Sequence, residues 1–164
     1  MTESGTEVIA DLGMCTGDPT LVAVNEAGMV AGYAKVGGSS RAAFRWDEQN
    51  GLLFFHVGAG CAVTDMNESG EVVGHTSSPR SAFLFTSDCV CLDIGASLGG
   101  INWATSIDDD GQISIIKQMT GTHQVYRYEK SSGNSELILE EPDELESGFN
   151  QPLVKGNESG AIAI

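Results

Sequence analysis

Positive charge is scarce in this sequence. Eight Lys and Arg face 23 Asp and Glu, a formal net charge of -15. Nucleic-acid binding needs clustered cations to meet phosphates, so this balance excludes nucleic acid as a partner. It argues equally against docking on an anionic membrane. No stretch approaches the ~20 apolar residues of a membrane helix. No window repeats apolar residues at i, i+3, i+4 and i+7 over three turns, so helices are not expected. The first residues, Met1 to Glu7, are polar and acidic, with neither the basic nor the apolar region of a signal peptide. The chain as it stands is therefore expected in the cytosol, or else to be a mature or trimmed form. Cys-x-x-Cys and zinc-type Cys/His spacings are absent.

What is present is a recurring phrase. It reads Asn25-Glu26-Ala27-Gly28, Asn67-Glu68-Ser69-Gly70, Asp108-Asp109-Asp110-Gly111 and Asn157-Glu158-Ser159-Gly160. Glycine to glycine, the steps are 42, 41 and 49 residues. Such a period marks a repeat architecture. Asn and Asp side chains bond nearby backbone, and Gly accepts positive φ, so the phrase reads as a turn. Between the phrases lie short strand-like runs. In the unit 29–70 they are 29–33, 41–46, 52–57 and 61–66. The unit 71–111 repeats them at 71–75, 81–85, 90–94 and 103–107. The unit 112–160 is degenerate and longer, with strands at 112–116, 123–128 and 136–139 and an acidic insertion at 140–146, where one helical turn is conceivable. A split unit pairs 7–28 with 161–164. With 164 residues, 41% hydrophobic and 21 glycines, about twice the usual ~7%, the chain suits one all-β domain with one core.

Four strands per unit of about 42 residues fit a β-propeller blade. The expectation is an all-β, β-propeller-like repeat domain of about four units, three full and one split between the termini. Its ring would close by pairing the last strand beside the first, within one chain or through a second copy.

The run Val72-Val73-Gly74, Ala82 to Phe85, Leu92-Asp93-Ile94-Gly95, Leu98-Gly99-Gly100 and Ala104-x-x-Ile107-Asp108-x-x-Gly111 resembles the HAF repeat family of bacteria. The first unit keeps Val30, Gly32, Ala43, Phe44 and Trp46. The N-terminal piece keeps Asp11-Leu12-Gly13 and Ala23-Val24-Asn25 with Gly28. The family's histidine before Ala-Phe is Ala42 in one unit and Ser81 in the next. The resemblance implies propeller-like repeats, usually on secreted proteins, with no well-defined common activity.

Candidate residues follow from register. Phe44 with Trp46, Phe83 with Phe85 and Tyr126 with Tyr128 each share one sheet face and read as inter-blade core. Arg45 and Arg127 occupy equivalent slots on the opposite face, where they would bind an anionic small ligand or meet solvent. Tyr33 and His75 follow the Val-x-Gly position, near one strand end, where a ligand funnel would lie. Trp103 follows Gly99-Gly100 and would border a pocket. Asp108 and Asp110 are weak calcium candidates, because consecutive aspartates do not reproduce the alternating ligands of a calcium loop. His56, His75 and His123 fall in different slots, so convergence on a metal is not expected. Cys89 and Cys91 would share a strand face and be poorly placed to bond each other. Cys15 and Cys61 would pair only if their loops met.

The expected function is a non-catalytic binding or interaction module with no cofactor, whose partner is a protein or small molecule. One alternative is an acidic intracellular inhibitor or small-ligand sponge, for example phage-derived. Another is an enzyme with an inter-blade site, and a third is a fragment of a longer extracellular array.

Overall fold

A computed structural model describes residues 19–38, 40–142, 155–156 and 162–163. Every regular element among them is a strand. The first sheet contains β1 (Thr20–Val24), β2 (Val30–Gly37), β3 (Ser40–Asp47) and β4 (Gly51–Ala59). The second contains β5 (Ala62–Met66), β6 (Val72–His75), β7 (Ala82–Phe85) and β8 (Cys91–Asp93). The third contains β9 (Ile101–Ile107), β10 (Gln112–Met119), β11 (Thr122–Glu129) and β12 (Asn134–Pro142). Each sheet is open and antiparallel, with its strands in chain order. A two-stranded pair, β13 (Lys155–Gly156) and β14 (Ile162–Ala163), begins again in the same way.

The sheets are phased one strand earlier than the sequence units. The last strand of one unit pairs with the first strand of the next, as β5 does with β6. The recurring phrase therefore sits inside each sheet as a hairpin turn. Its construction is the same three times. Asn25 N–H donates to the Met29 carbonyl (3.1 Å), and Gly28 N–H to the Asn25 carbonyl (3.0 Å). Asn67 with Gly70 and Asp108 with Gly111 repeat these bonds. The glycines have φ of 77°, 73° and 79°, the left-handed conformation that closes such a turn.

Alternation along the strands makes two cores. Ala31, Ala43 and Phe55 of the first sheet meet Val63, Val72, Phe83 and Phe85 of the second. Phe55 stacks on Phe85, with centroids 3.8 Å apart. The other face of the second sheet, Val73, Ala82 and Leu84, meets Ala104, Ile113, Ile115 and Tyr128 of the third. The second sheet is thus covered on both faces, and β7 is buried along its length. That explains its unbroken apolar run, Ala82 to Phe85, where a half-exposed strand would alternate. Each fully buried Leu or Ile contributes about 1.5–3 kcal/mol.

Three sequence expectations land differently. Residues 134–142 are strand, so Glu140 and Glu141 extend β12; the rest of the acidic insertion lies outside the described residues. Cys89 lies in the β7–β8 turn with φ of 64°, so only Cys91 is on a strand. The third unit, degenerate in sequence, still folds into strands of 8, 8 and 9 residues, the same lengths as in the first unit. Strand 7–13, Cys15, the fourth phrase and closure of a ring lie outside the described residues.

Candidate binding residues at the two ends of the sheets

All three described phrases lie at one end of the sheets, and their side chains tie each sheet to the next. Asn25 Oδ1 accepts from Met29 N–H within its own turn (2.9 Å). Its Nδ2 donates across to the Asn67 and Glu68 carbonyls (3.2 and 3.1 Å). Asn67 repeats this, accepting from Glu71 N–H (2.9 Å) and donating to the Asp108 carbonyl (3.1 Å). The acid at the second position adds another rung. Glu26 N–H donates to the Glu68 carboxylate (2.9 Å), and Glu68 N–H to the Asp109 carboxylate (2.8 Å). Asp108 accepts from Gln112 N–H (2.8 Å) but has no amide to donate onward. The carboxylates of Asp108 and Asp109 thus hold backbone. Among the described residues no group of three His, Cys, Asp or Glu could hold a metal ion.

Arg45 and Arg127 also stand at this hairpin end. Arg45 is buried between the first two sheets, with its guanidinium 5.3 Å from the Phe85 ring centre. It donates to the Gly70 carbonyl (2.8 Å) and faces Asp47 across 3.9 Å. Burial pushes the Asp47 carboxyl up, but hydrogen bonds from Asn50 and Gln49, with the Arg45 charge, hold it below its ordinary value. Arg127 lies on the face of the third sheet away from the second and pairs with Glu136 (2.7 Å). Each arginine lines a surface cavity, of about 290 Å³ and 380 Å³ respectively. Both cavities also hold carboxylates, Asp47 and Glu48 in one, Glu129 and Glu136 in the other. The other hairpin-end cation, Lys130, pairs with the buried Glu71.

The opposite, loop end is different in kind. Tyr33 lies partly buried against the first core, with the Arg41 guanidinium 5.4 Å from its ring centre. His75 ends β6, and Arg80 sits in the following loop. The Arg80 guanidinium lies 4.8 Å from the Trp103 ring centre and donates to His75 Nε2 (3.2 Å). Trp103 is buried on Ile116 and Val125 and meets the edge of the His123 ring. The chain His75–Arg80–Trp103–His123 thus links two expected site residues through one that register did not reveal.

Arg80 only donates, so His75 Nε2 is its acceptor and Nδ1 carries the proton. Nδ1 is buried without a partner among the described residues. Burial, then the charges of Arg80 and Arg41, push the His75 pKa down to about 4. It is neutral at pH 7. Among the described residues neither Arg41 nor Arg80 has a carboxylate within ion-pair distance. Lys117 adds a cation here, bonded to the Leu98 carbonyl (2.7 Å). Buried Asn102 holds the framework, accepting from Ala82 N–H (2.8 Å) and donating to the Gly95 carbonyl (3.1 Å).

Register therefore placed five candidates, and the fold divides them. Tyr33, His75 and Trp103 gather at the loop end with Arg41 and Arg80. Arg45 and Arg127 stand apart at the hairpin end, in two separate cavities. Arg80 lies between Pro79 and Ser81 in a loop with no repeat slot, so no periodicity singled it out. Comparison of the chain with protein-family models, with curated proteins and with solved structures gives no match.

Proposed function

We propose that this chain is a non-catalytic binding module on a small, propeller-like ring of HAF-type repeats, and that it takes its ligand at the loop end. The observation that carries this reading is the pairing of Arg41 with Tyr33 and of Arg80 with Trp103, without carboxylate partners among the described residues, in a strongly acidic protein. A guanidinium laid on an aromatic ring is held in orientation while its N–H edge stays available to a carboxylate or phosphate. The ligand is then a small molecule or protein segment bearing such a group. His75 supports a non-catalytic role: it is neutral, one nitrogen is taken by Arg80 and the other is buried. A general base needs a nitrogen that can reach substrate.

The test is a nitrogen-15 NMR titration of the full chain with small carboxylates and phosphates. The reading expects saturable shifts at the Trp103 indole and around His75. Shifts confined to the surroundings of Arg45 or Arg127, or none at all, would sink it. A second reading has its own observation, the exposed acids Glu26, Glu68, Asp109 and Asp110 at the hairpin end. That face suits a basic protein partner. Salt-sensitive shifts in these turns on adding a polylysine probe would favour it.

A further inference from the structure

A third group of residues belongs to neither reading. Arg45 is 3% exposed, so its charge has left water. Its compensation is incomplete. Asp47 stands 3.9 Å from Nε, too far for a hydrogen bond, and its Oδ1 is engaged by the backbone N–H groups of Gln49 and Asn50. Nε is buried with no hydrogen-bond partner among the described residues. One terminal nitrogen donates to the Gly70 carbonyl; the other points across the sheet interface at Cys89 Sγ, 3.6 Å away. Cys89 is exposed and free, and its only other polar contact among the described residues is a weak one of 3.9 Å to the Ser87 carbonyl. It is the one described non-glycine residue with positive φ, at 64°, a conformation that L residues adopt at a cost. The turn thus holds this thiol against the buried cation, next to the cavity of about 290 Å³ that Arg45, Ser69 and Ser87 line.

We propose that Cys89 is a site of thiol modification, activated by Arg45 and open to small hydroperoxides. A cation at this distance favours the thiolate, which is the nucleophile. The thiol proton goes to solvent. The thiolate sulfur attacks the outer peroxide oxygen, an S–O bond forms, the O–O bond breaks, and the departing alkoxide or hydroxide takes up a proton. Sulfur is oxidised to sulfenic acid and the peroxide is reduced to alcohol or water. Arg45 has unused N–H capacity to meet the added oxygen. Cys91, two residues on, is the internal control. It too is exposed, but burial of its sulfur and then the charge of Asp93 push its pKa up.

The experiment treats the full chain with hydrogen peroxide, traps sulfenic acid with dimedone and reads each cysteine by peptide mass spectrometry. In parallel, limiting iodoacetamide gives the alkylation rate of each thiol across pH. Cys89 is expected to react severalfold faster than Cys91 at neutral pH, because its sulfur stands beside a guanidinium while burial and the Asp93 charge keep the Cys91 thiol protonated. Arg45→Met should slow Cys89 towards the Cys91 rate, and Arg45→Lys should keep part of its advantage. Should Arg45→Met fail to fold, the relative rates of Cys89 and Cys91 in the unmodified chain decide alone. Equal rates, a faster Cys91, or dimedone adducts absent from Cys89 would overturn the proposal.

Discussion

The two ends of the sheets are built from different materials. At the hairpin end the same four-residue phrase recurs, and the side chains of Asn25, Asn67, Glu68, Asp108 and Asp109 are taken up in holding backbone, their own or a neighbouring sheet's. At the loop end Gly32 and Gly74 recur, but the side chains that follow them do not. Tyr33, His75 and Lys117 stand near the ends of equivalent strands, yet they share no chemistry. The repeated residues are therefore structural, and the unrepeated ones are available for specificity. Four changes break or sharpen that contrast.

The largest effect is expected at Gly74, where space at the loop end is decisive. An added Cβ would overlap the Ala62 carbonyl oxygen and stand 2.8 Å from Phe83 Cζ. Gly74→Ala should cost about 3 kcal/mol or more, because the obstacle is backbone in a packed core. Gly28→Ala at the hairpin end meets open space and is opposed only by its φ, so about 1 kcal/mol is expected. Urea unfolding of both variants measures the ratio, and equal costs would dissolve the distinction.

Acid should act next, and at the loop end. The folded pKa of His75, about 4, lies below the unfolded value of 6.5. The unfolded chain therefore binds more protons between those values, and stability falls as pH drops from 6.5 towards 4. The loss reaches at most about 3 kcal/mol once pH is below 4. His75→Gln should flatten this slope in urea titrations at several pH values. A slope unchanged by the substitution would place the titration elsewhere.

Asn67→Ala cuts the ladder in the middle. It leaves the Asp108 carbonyl and Glu71 N–H each short of a partner and removes the contact with the Glu71 carboxylate (3.2 Å). A loss of about 2 kcal/mol is expected. The indole signal of Trp103 should not move, since Asn67 is at the other end. A shifted indole would show the ends to be coupled.

How far these features could be read beforehand depended on distance along the chain. The turn chemistry of Asn25-Glu26-Ala27-Gly28 is local, and it was legible. Two of the three aromatic pairs were legible as well: Phe83 with Phe85 and Tyr126 with Tyr128 lie in the cores between sheets, whereas Phe44 and Trp46 belong to neither. The phase of the sheets was not legible, because a repeat of four strands can be cut at any strand. The ladder was equally hidden, since each rung joins residues 41 to 43 positions apart. Arg45 illustrates the limit. Its slot was read correctly, but whether that face met solvent or a neighbouring sheet depended on the next unit. Arg80 belongs to no slot at all, and only the fold brings it to Trp103.

The smallest expected effect tests why the third phrase begins with Asp. Asn25 and Asn67 each use an amide to reach the next turn, and an aspartate cannot. Asp108→Asn keeps the Oδ1 that accepts from Gln112 N–H and supplies the missing donor. It also removes one of three consecutive negative charges. The physical expectation is a neutral change or a gain of about 0.5 kcal/mol, within the range of a surface substitution that relieves repulsion. Unfolding curves with and without added calcium read the outcome. A loss above about 1 kcal/mol that appears only with calcium present would mean that the Asp108 carboxylate does more than its turn requires, and would return Asp108 and Asp110 to consideration as ligands. A neutral result in both conditions leaves the third phrase as a ladder rung that accepts and does not donate.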